Sequence, residues 1–185
     1  MPVLICMLRG VNVGAHNRIK MGALRSLCEA LKLEDPRTYV QSGNVIFRTK
    51  ERSVASLAKK IQGAIEREFG FRPEVILRTT DELRKAIAAN PFDSRRDIEP
   101  GKLLVTFLAV APGPQADAML AKFKDYPEEI HLTSRELYIY FPNGAGKSKL
   151  PWSSVERLLK TTGTARNWNS VTKMLEIAQE LEGAG

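Results

Sequence analysis

The stretch NGAGKSK, residues 143–149, follows the strand-like run LYIYF and contains Gly146, Lys147 and Ser148, the triplet that closes a nucleotide phosphate loop. That chemistry requires G-x-x-x-x-G-K-[ST] feeding directly into a helix, so that backbone N–H groups curl around the phosphates. The first glycine would fall at position 141, where Phe141 stands. Pro151 and the capping pattern Ser153-x-x-Glu156 also set the next helix too far along the chain. This is not a phosphate loop. What remains is a basic turn ahead of a helix N-terminus, whose free N–H groups and positive dipole end favour an anion. Lys147, Ser148 and Lys149 are its candidate anion-binding side chains.

A second polar cluster, TARNWNSVTK, brings Arg166, Asn167, Asn169 and Lys173 to a strand exit and the first turn of a helix. Arginine holds an oxyanion in bidentate fashion, and asparagine adds neutral donors. Trp168 lies among them and offers a ring for stacking on a base, or an anchor for the last helix. Near the N-terminus, the loop RGVNVGAHNR and the turn QSGN form another candidate edge of Arg9, Asn12, Gly14, Asn17, Gln41, Ser42 and Asn44. Glycine lets a ligand approach the backbone closely, but Asn and Gly are also the residues that turns select for positive φ. Acid–base and nucleophilic chemistry are thinly provided. His16 and His131 are the only histidines, and no Ser-His-Asp or Cys-His set is recognisable. Without an HxxxH or CxxC spacing, Cys6 and Cys28 read as core thiols, and neither a zinc site nor any other cofactor is implied.

The elements that must position these residues follow from hydrophobic period. Val3–Leu8 is a continuous apolar run, a buried strand, and Met21, Leu24, Leu27, Cys28 and Leu31 form a helical stripe. RTYVQ and VIFRT flank SGN as a hairpin, and Val54, Leu57, Ile61 and Ile65 mark a second helix ending near Gly70. PEVILRT is a strand, and Thr79-x-x-Glu82 is a capping box for a short helix. After the polar stretch NPFDSRRDIEPGK the same order returns: LLVTFLAV, a helix through Met119 and Phe123, the hairpin EIHLT–ELYIYF, a helix through Val155 and Leu159, the edge strand TGTARN, and a last helix through Met174 and Ala178.

Two β-α-β-β-α-β runs predict an α+β protein of two ferredoxin-like split βαβ lobes with antiparallel sheets, each followed by an extra helix. The predicted boundaries are 1–92, a linker over 93–101, and 102–185 with the C-terminal helix. In that topology the third and fourth strands leave the sheet at one end, which gathers NGAGKSK with ARNWN in the second lobe. The loop after strand one and the first hairpin turn meet likewise in the first lobe. Both helices of a lobe cover one sheet face, leaving the other open to be covered or used. In ELYIYF, Tyr138 and Tyr140 alternate with Leu137, Ile139 and Phe141, so the two tyrosines fall on that second face, where RNA-binding sheets stack bases.

The motifs LRGVNVG, RTYVQSGNVIF, SKL and TARNWNSVTK, in this order and spacing, resemble the bacterial family catalogued as domain of unknown function 1697. The resemblance runs from Met1 to about Leu175 and implies paired ferredoxin-like plaits, with no established activity, cofactor or catalytic residue. Its motif positions here are Arg9, Gly10, Asn12, Gly14, Gln41, Ser42, Gly43 and Asn44, then Ser148 and Lys149, then Arg166 to Asn169 and Lys173. Ala15–His16 departs from the smaller or basic pair more usual in the family.

Composition bounds the function. The chain has 185 residues, with 28 Lys and Arg against 21 Asp and Glu, a net charge of +7 that favours encounters with phosphates, nucleic acid or acidic surfaces. The apolar run at the N-terminus is too short for a membrane span and lacks a basic leader, so the cytoplasm is the expected location and no membrane partner is implied. The sequence predicts an anion-binding protein whose ligand is nucleic acid, a nucleotide or a small phosphorylated molecule. An enzyme acting on a small phosphorylated or carboxylated substrate, or a protein-interaction module, are the alternatives. Sequence fixes neither a reaction nor an oligomeric state.

Overall fold

The computed structural model of the chain describes residues 1–184. The first half runs β1 (Val3–Leu8), α1 (Met21–Ala30), β2 (Glu34–Tyr39), β3 (Asn44–Arg48), α2 (Val54–Phe69), β4 (Val75–Thr79) and α3 (Thr80–Ala88). The second runs β5 (Leu103–Leu108), α4 (Ala116–Leu120), β6 (Glu129–Leu132), β7 (Glu136–Tyr140), α5 (Trp152–Leu159), β8 (Gly163–Asn167) and α6 (Trp168–Gly183). The predicted α+β duplication is present: two four-stranded sheets, ordered β2-β3-β1-β4 and β6-β7-β5-β8, with every pairing antiparallel.

The halves repeat down to single hydrogen bonds. Leu8 N donates to Gly43 O and Leu108 N to Arg135 O, both at 2.9 Å; Thr49 N donates to Pro2 O and Phe141 N to Lys102 O. Register makes Leu4, Cys6 and Leu8 of β1 the counterparts of Leu104, Thr106 and Leu108 of β5. It likewise matches Val75, Leu77 and Thr79 of β4 with Gly163, Ala165 and Asn167 of β8.

Period-2 strands facing period-3.6 helices build each core. In the first, Leu4, Cys6, Leu8, Val45 and Phe47 meet Leu24, Leu27, Leu57, Ile61 and Ile65. Each fully buried side chain of this size contributes about 1.5–3 kcal/mol. Ser53 caps α2 by accepting from Ser56 N, and Gly70 ends it at φ 78. Thr79 and Glu82 form the predicted capping box, Glu82 N donating to Thr79 Oγ1 and Thr79 N to Glu82 Oε2. The second box fails. α5 begins at Trp152 with Pro151 at its N-cap and no side-chain cap, which leaves Ser153 inside the first turn rather than ahead of it.

The chain divides into two compact units, Met1–Lys85 with the chain from Thr172 on, and Ala86–Val171. These limits differ from boundaries at 92 and 102. Residues 93–101 are not a free linker. Phe92 sets its ring edge-on to His131 and near Tyr140, and Arg95 pairs with Asp97 and with Glu129 of β6. The polar text is that of a strap held by ion pairs. The C-terminal part of α6 groups with the first unit, where Glu180 pairs with Arg37 of β2 and Glu182 with Arg84 of α3. Neither second sheet face is open: Ile5, Met7, Ile46 and Ile76 are buried in the first unit, and Val105, Phe107 and Tyr138 in the second.

Candidate functional site

The first candidate edge forms as a locked loop. Asn12 Nδ2 donates to Gln41 O at 2.7 Å and to Ile19 O at 2.9 Å, while its Oδ1 accepts from Ile19 N at 2.9 Å. Asn17 Nδ2 donates to Gly10 O, Arg18 to Gly14 O, and Asn44 Nδ2 to Ser42 Oγ and Tyr39 O. Asn12 and Asn17 sit at φ 56 and 54, as do Gly10, Gly14 and Gly43 at comparable positive values. Gly43 is sterically required, since a Cβ there would stand 3.0 Å from Leu8 Cβ and 3.2 Å from Val11 Cβ. Arg9 is engaged with Glu74 at 3.7 Å. The structure thus brings these residues together, yet it spends Asn12, Asn17, Ser42 and Asn44 on holding loop to hairpin. Gln41 contributes its carbonyl.

In the second unit β7 and β8 both run antiparallel to β5, and Tyr140 and Asn167 pair with the neighbouring residues Leu103 and Leu104. NGAGKSK and the end of β8 therefore leave the same end of the sheet. The turn contains one 3₁₀ segment, Ala145–Lys147, and Ser148 Oγ accepts from Leu150 N. Lys147 and Lys149 are exposed, and among the described residues neither has an ion pair.

Arg166 does not join them. Strand alternation puts Ala165 and Asn167 on the face toward α4 and α5 and Arg166 on the opposite face, where it is 7 % exposed. Its Nη1 donates to Thr164 Oγ1 at 2.6 Å and to Ala165 O at 2.9 Å. Arg78, its counterpart in β4, is 2 % exposed and donates to Leu77 O in the same way. Both arginines belong to the buried faces. Asn167 caps α6, accepting from Ser170 N at 2.9 Å. Asn169 is exposed, Trp168 half-buried, and both are hydrogen-bonded or in contact elsewhere. Lys173 lies in the part of α6 that groups with the first unit; its hydrogen bond to Glu176, 2.7 Å, holds its ammonium above the usual lysine range.

The two tyrosines of β7 do not lie on an open face either. Tyr138 is buried with its hydroxyl donating to Ala86 O at 2.5 Å, and Tyr140 donates to Asp97 O at 3.3 Å. Burial, then the charge of Glu136, pushes the Tyr138 hydroxyl well above the ordinary phenol range. Ala86 of α3 and Asp97 of the strap supply the two acceptors, so neither ring offers a face to a base.

A pocket of about 270 Å³ opens on the helix side of the second sheet. Its floor is Leu104, Thr106, Ile139, Phe141 and Ala165, and its wall is Ala145, Ser148, Leu150 and Trp152. The helix layer explains it. α2 has 16 residues and fills the first core with Leu57, Ile61 and Ile65, whereas α5 has 8 and buries Val155 and Leu159. Thr106 is 1 % exposed, and among the described residues its Oγ1 has no hydrogen-bond partner. The sequence offers Trp168 as a stacking ring or as an anchor of the last helix, and neither Thr106 nor Trp152 stands among its candidates. The signal was a tryptophan directly behind a basic turn, and a threonine amid the aliphatics of LLVTFLAV. Among the described residues no group of three His, Cys, Asp or Glu side chains could hold a metal, and no helix is long and apolar enough to cross a membrane.

Comparison with known proteins agrees with this architecture. The conserved bacterial protein SP0830 of Streptococcus pneumoniae has a similar structure, with a TM-score of 0.69 at 20 % identity over 96 % of this chain and 98 % of that one. Among curated proteins none is similar in sequence. Residues 1–138 match a family described as protein of unknown function, a span that includes LRGVNVG and RTYVQSGNVIF and stops before SKL and TARNWNSVTK. On that match the chain belongs to the family of domain of unknown function 1697.

Proposed function

We propose that the protein binds a small anionic ligand at the NGAGKSK edge of its second unit. The observation that carries this reading is the conjunction of two exposed, unpaired lysines, Lys147 and Lys149, with a pocket lined by the serine between them. Elsewhere the candidate cations are occupied: Arg9 by Glu74, Lys173 by Glu176, Arg166 within its strand. The uncapped N-terminus of α5 adds the positive end of a helix dipole at the pocket wall. The reading favours a small ligand over nucleic acid, because the two sheet-face tyrosines are buried and hydrogen-bonded. It favours binding over turnover, because the lining offers two hydroxyls and no carboxylate, imidazole or thiol. The cytoplasm suits it, since a reducing compartment keeps thiols such as those of Cys6 and Cys28 out of disulfides.

Isothermal titration with inorganic phosphate tests the reading. The wild-type protein binds and is stabilised against heat as free ligand exceeds its dissociation constant. K147A/K149A weakens binding about tenfold or more while leaving the unliganded unfolding midpoint unchanged. Binding of equal strength in the double variant, or none in the wild type, would overturn it.

A further inference from the structure

The two units serve as each other's control. On the helix-facing side of the fourth strand the first unit carries Val75, Leu77 and Thr79, and the second carries Gly163, Ala165 and Asn167. Leu77 is core; Ala165 is exposed on the pocket floor. Cys6, opposite Leu77, is matched by Thr106, opposite Ala165. The second sheet has thus lost side-chain volume at consecutive positions of one face and gained a hydroxyl there. A buried hydroxyl without a partner destabilises the fold unless something bonds to it. Buried polar groups in native proteins are otherwise almost always satisfied, and each exception needs a cause. Trp152 gives the cavity an aromatic wall, and Leu104, Ile139 and Phe141 an apolar floor.

We infer that this cavity takes the body of the ligand: a flat, apolar, ring-sized group with a hydrogen-bonding substituent that reaches Thr106 Oγ1, its anionic end lying at Lys147 and Lys149. The inference rests on the anion-binding reading and names the ligand class, a small aromatic organic acid or phosphate ester. The volume, about 270 Å³, lies just below the range of pockets for drug-sized molecules and suits a single ring system better than a nucleotide. Specificity would come from Thr106, because a site built to hydrogen-bond one substituent rejects the analogue that lacks it.

Titration with four probes tests this: inorganic phosphate, phenyl phosphate, 4-hydroxyphenyl phosphate and benzyl alcohol. Phenyl phosphate is expected to bind about tenfold or more tighter than phosphate, from burial of the ring. The hydroxyl is expected to add a further gain of several-fold that T106V removes. A165L fills the floor and abolishes the ring's advantage while phosphate still binds. Should A165L fail to fold, A145L, at an exposed wall position, makes the same comparison. Phosphate and phenyl phosphate binding equally would overturn the inference and leave the anion site standing. Benzyl alcohol bound without phosphate, indifferent to K147A/K149A, would keep the pocket and overturn its anionic end. Silence from all four overturns both.

Discussion

Replacing Asn12 by aspartate separates a scaffold from a ligand site at the first edge. The change preserves shape, and aspartate tolerates left-handed backbone, so φ 56 is not itself a penalty. Oδ1 still accepts from Ile19 N. The other atom changes from a donor of two bonds, to Gln41 O at 2.7 Å and Ile19 O at 2.9 Å, into an oxygen facing two carbonyls. Two lost bonds at about 0.5–1.5 kcal/mol each, with repulsion added, give a cost of about 2–4 kcal/mol at pH 7. For a chain of this size that lowers the unfolding midpoint by about 4–16 °C.

The pH dependence gives the test its sharpness. Carbonyls facing the new carboxyl raise its folded pKa, so the folded state gains a proton more readily than the unfolded one. Relative to wild type, N12D therefore recovers stability as pH falls toward 4, where the protonated carboxyl again donates one bond. Thermal unfolding of both proteins at pH 7 and pH 4 measures this. A variant as stable as wild type at pH 7, or one whose deficit grows in acid, would refute the loop-lock reasoning. Lost phosphate affinity with unchanged stability would place a ligand at Asn12 instead.

Tyr138→Phe strands the carbonyl of Ala86 and is expected to cost about 1–3 kcal/mol, read as a lower denaturant midpoint at unchanged slope. Gly163→Ala sets a Cβ 2.6 Å from Thr106 Cγ2 and 2.9 Å from Phe107 O; overpacking of about 1–3 kcal/mol is expected, with a lower melting midpoint as the readout. Burial, and secondarily the charge of Glu29, pushes the Cys28 thiol up to about 12, so it remains unreacted with a thiol reagent at pH 8 until the protein unfolds.

Element order was legible because simple patterns suffice for it: short apolar runs such as Val3–Leu8 for buried strands, and helical stripes such as Leu57–Ile61–Ile65. Turn chemistry gave Gly70 and the Thr79–Glu82 box, since those signals are local. The strap was misread as a linker because its hold comes from partners far along the chain: Arg95 reaches Glu129, and Phe92 meets His131. Arg166 looked like an anion ligand for a similar reason. Composition marks an arginine as charged and therefore exposed, while strand alternation, counted from Ala165, sends it to the buried face. The pocket was illegible in either half alone. It emerges from subtracting one unit from the other, at Leu77 against Ala165 and Cys6 against Thr106, and that comparison needs the register.

That subtraction has an energetic consequence. Moving from leucine to alanine at a core position costs about 2–5 kcal/mol when the surroundings cannot collapse. The second unit carries alanine at the position matching Leu77, Ala165, exposed on the pocket floor beside an unbonded hydroxyl at Thr106. Natural sequences break the rule of full packing mainly at functional sites, and stability is commonly regained by filling them. Ala165→Leu is therefore expected to raise the melting midpoint by about 2–4 °C, the equivalent of about 1 kcal/mol of recovered apolar contact at a partly exposed floor. The reverse substitution at the matching position of the first unit, Leu77→Ala, lowers it by considerably more, because α2 has no slack to close the hole. A gain at Ala165 beside a loss at Leu77 means that the hollow is kept at a cost to folding. A fall at both positions would make the second sheet merely differently packed, with no site for evolution to have held open.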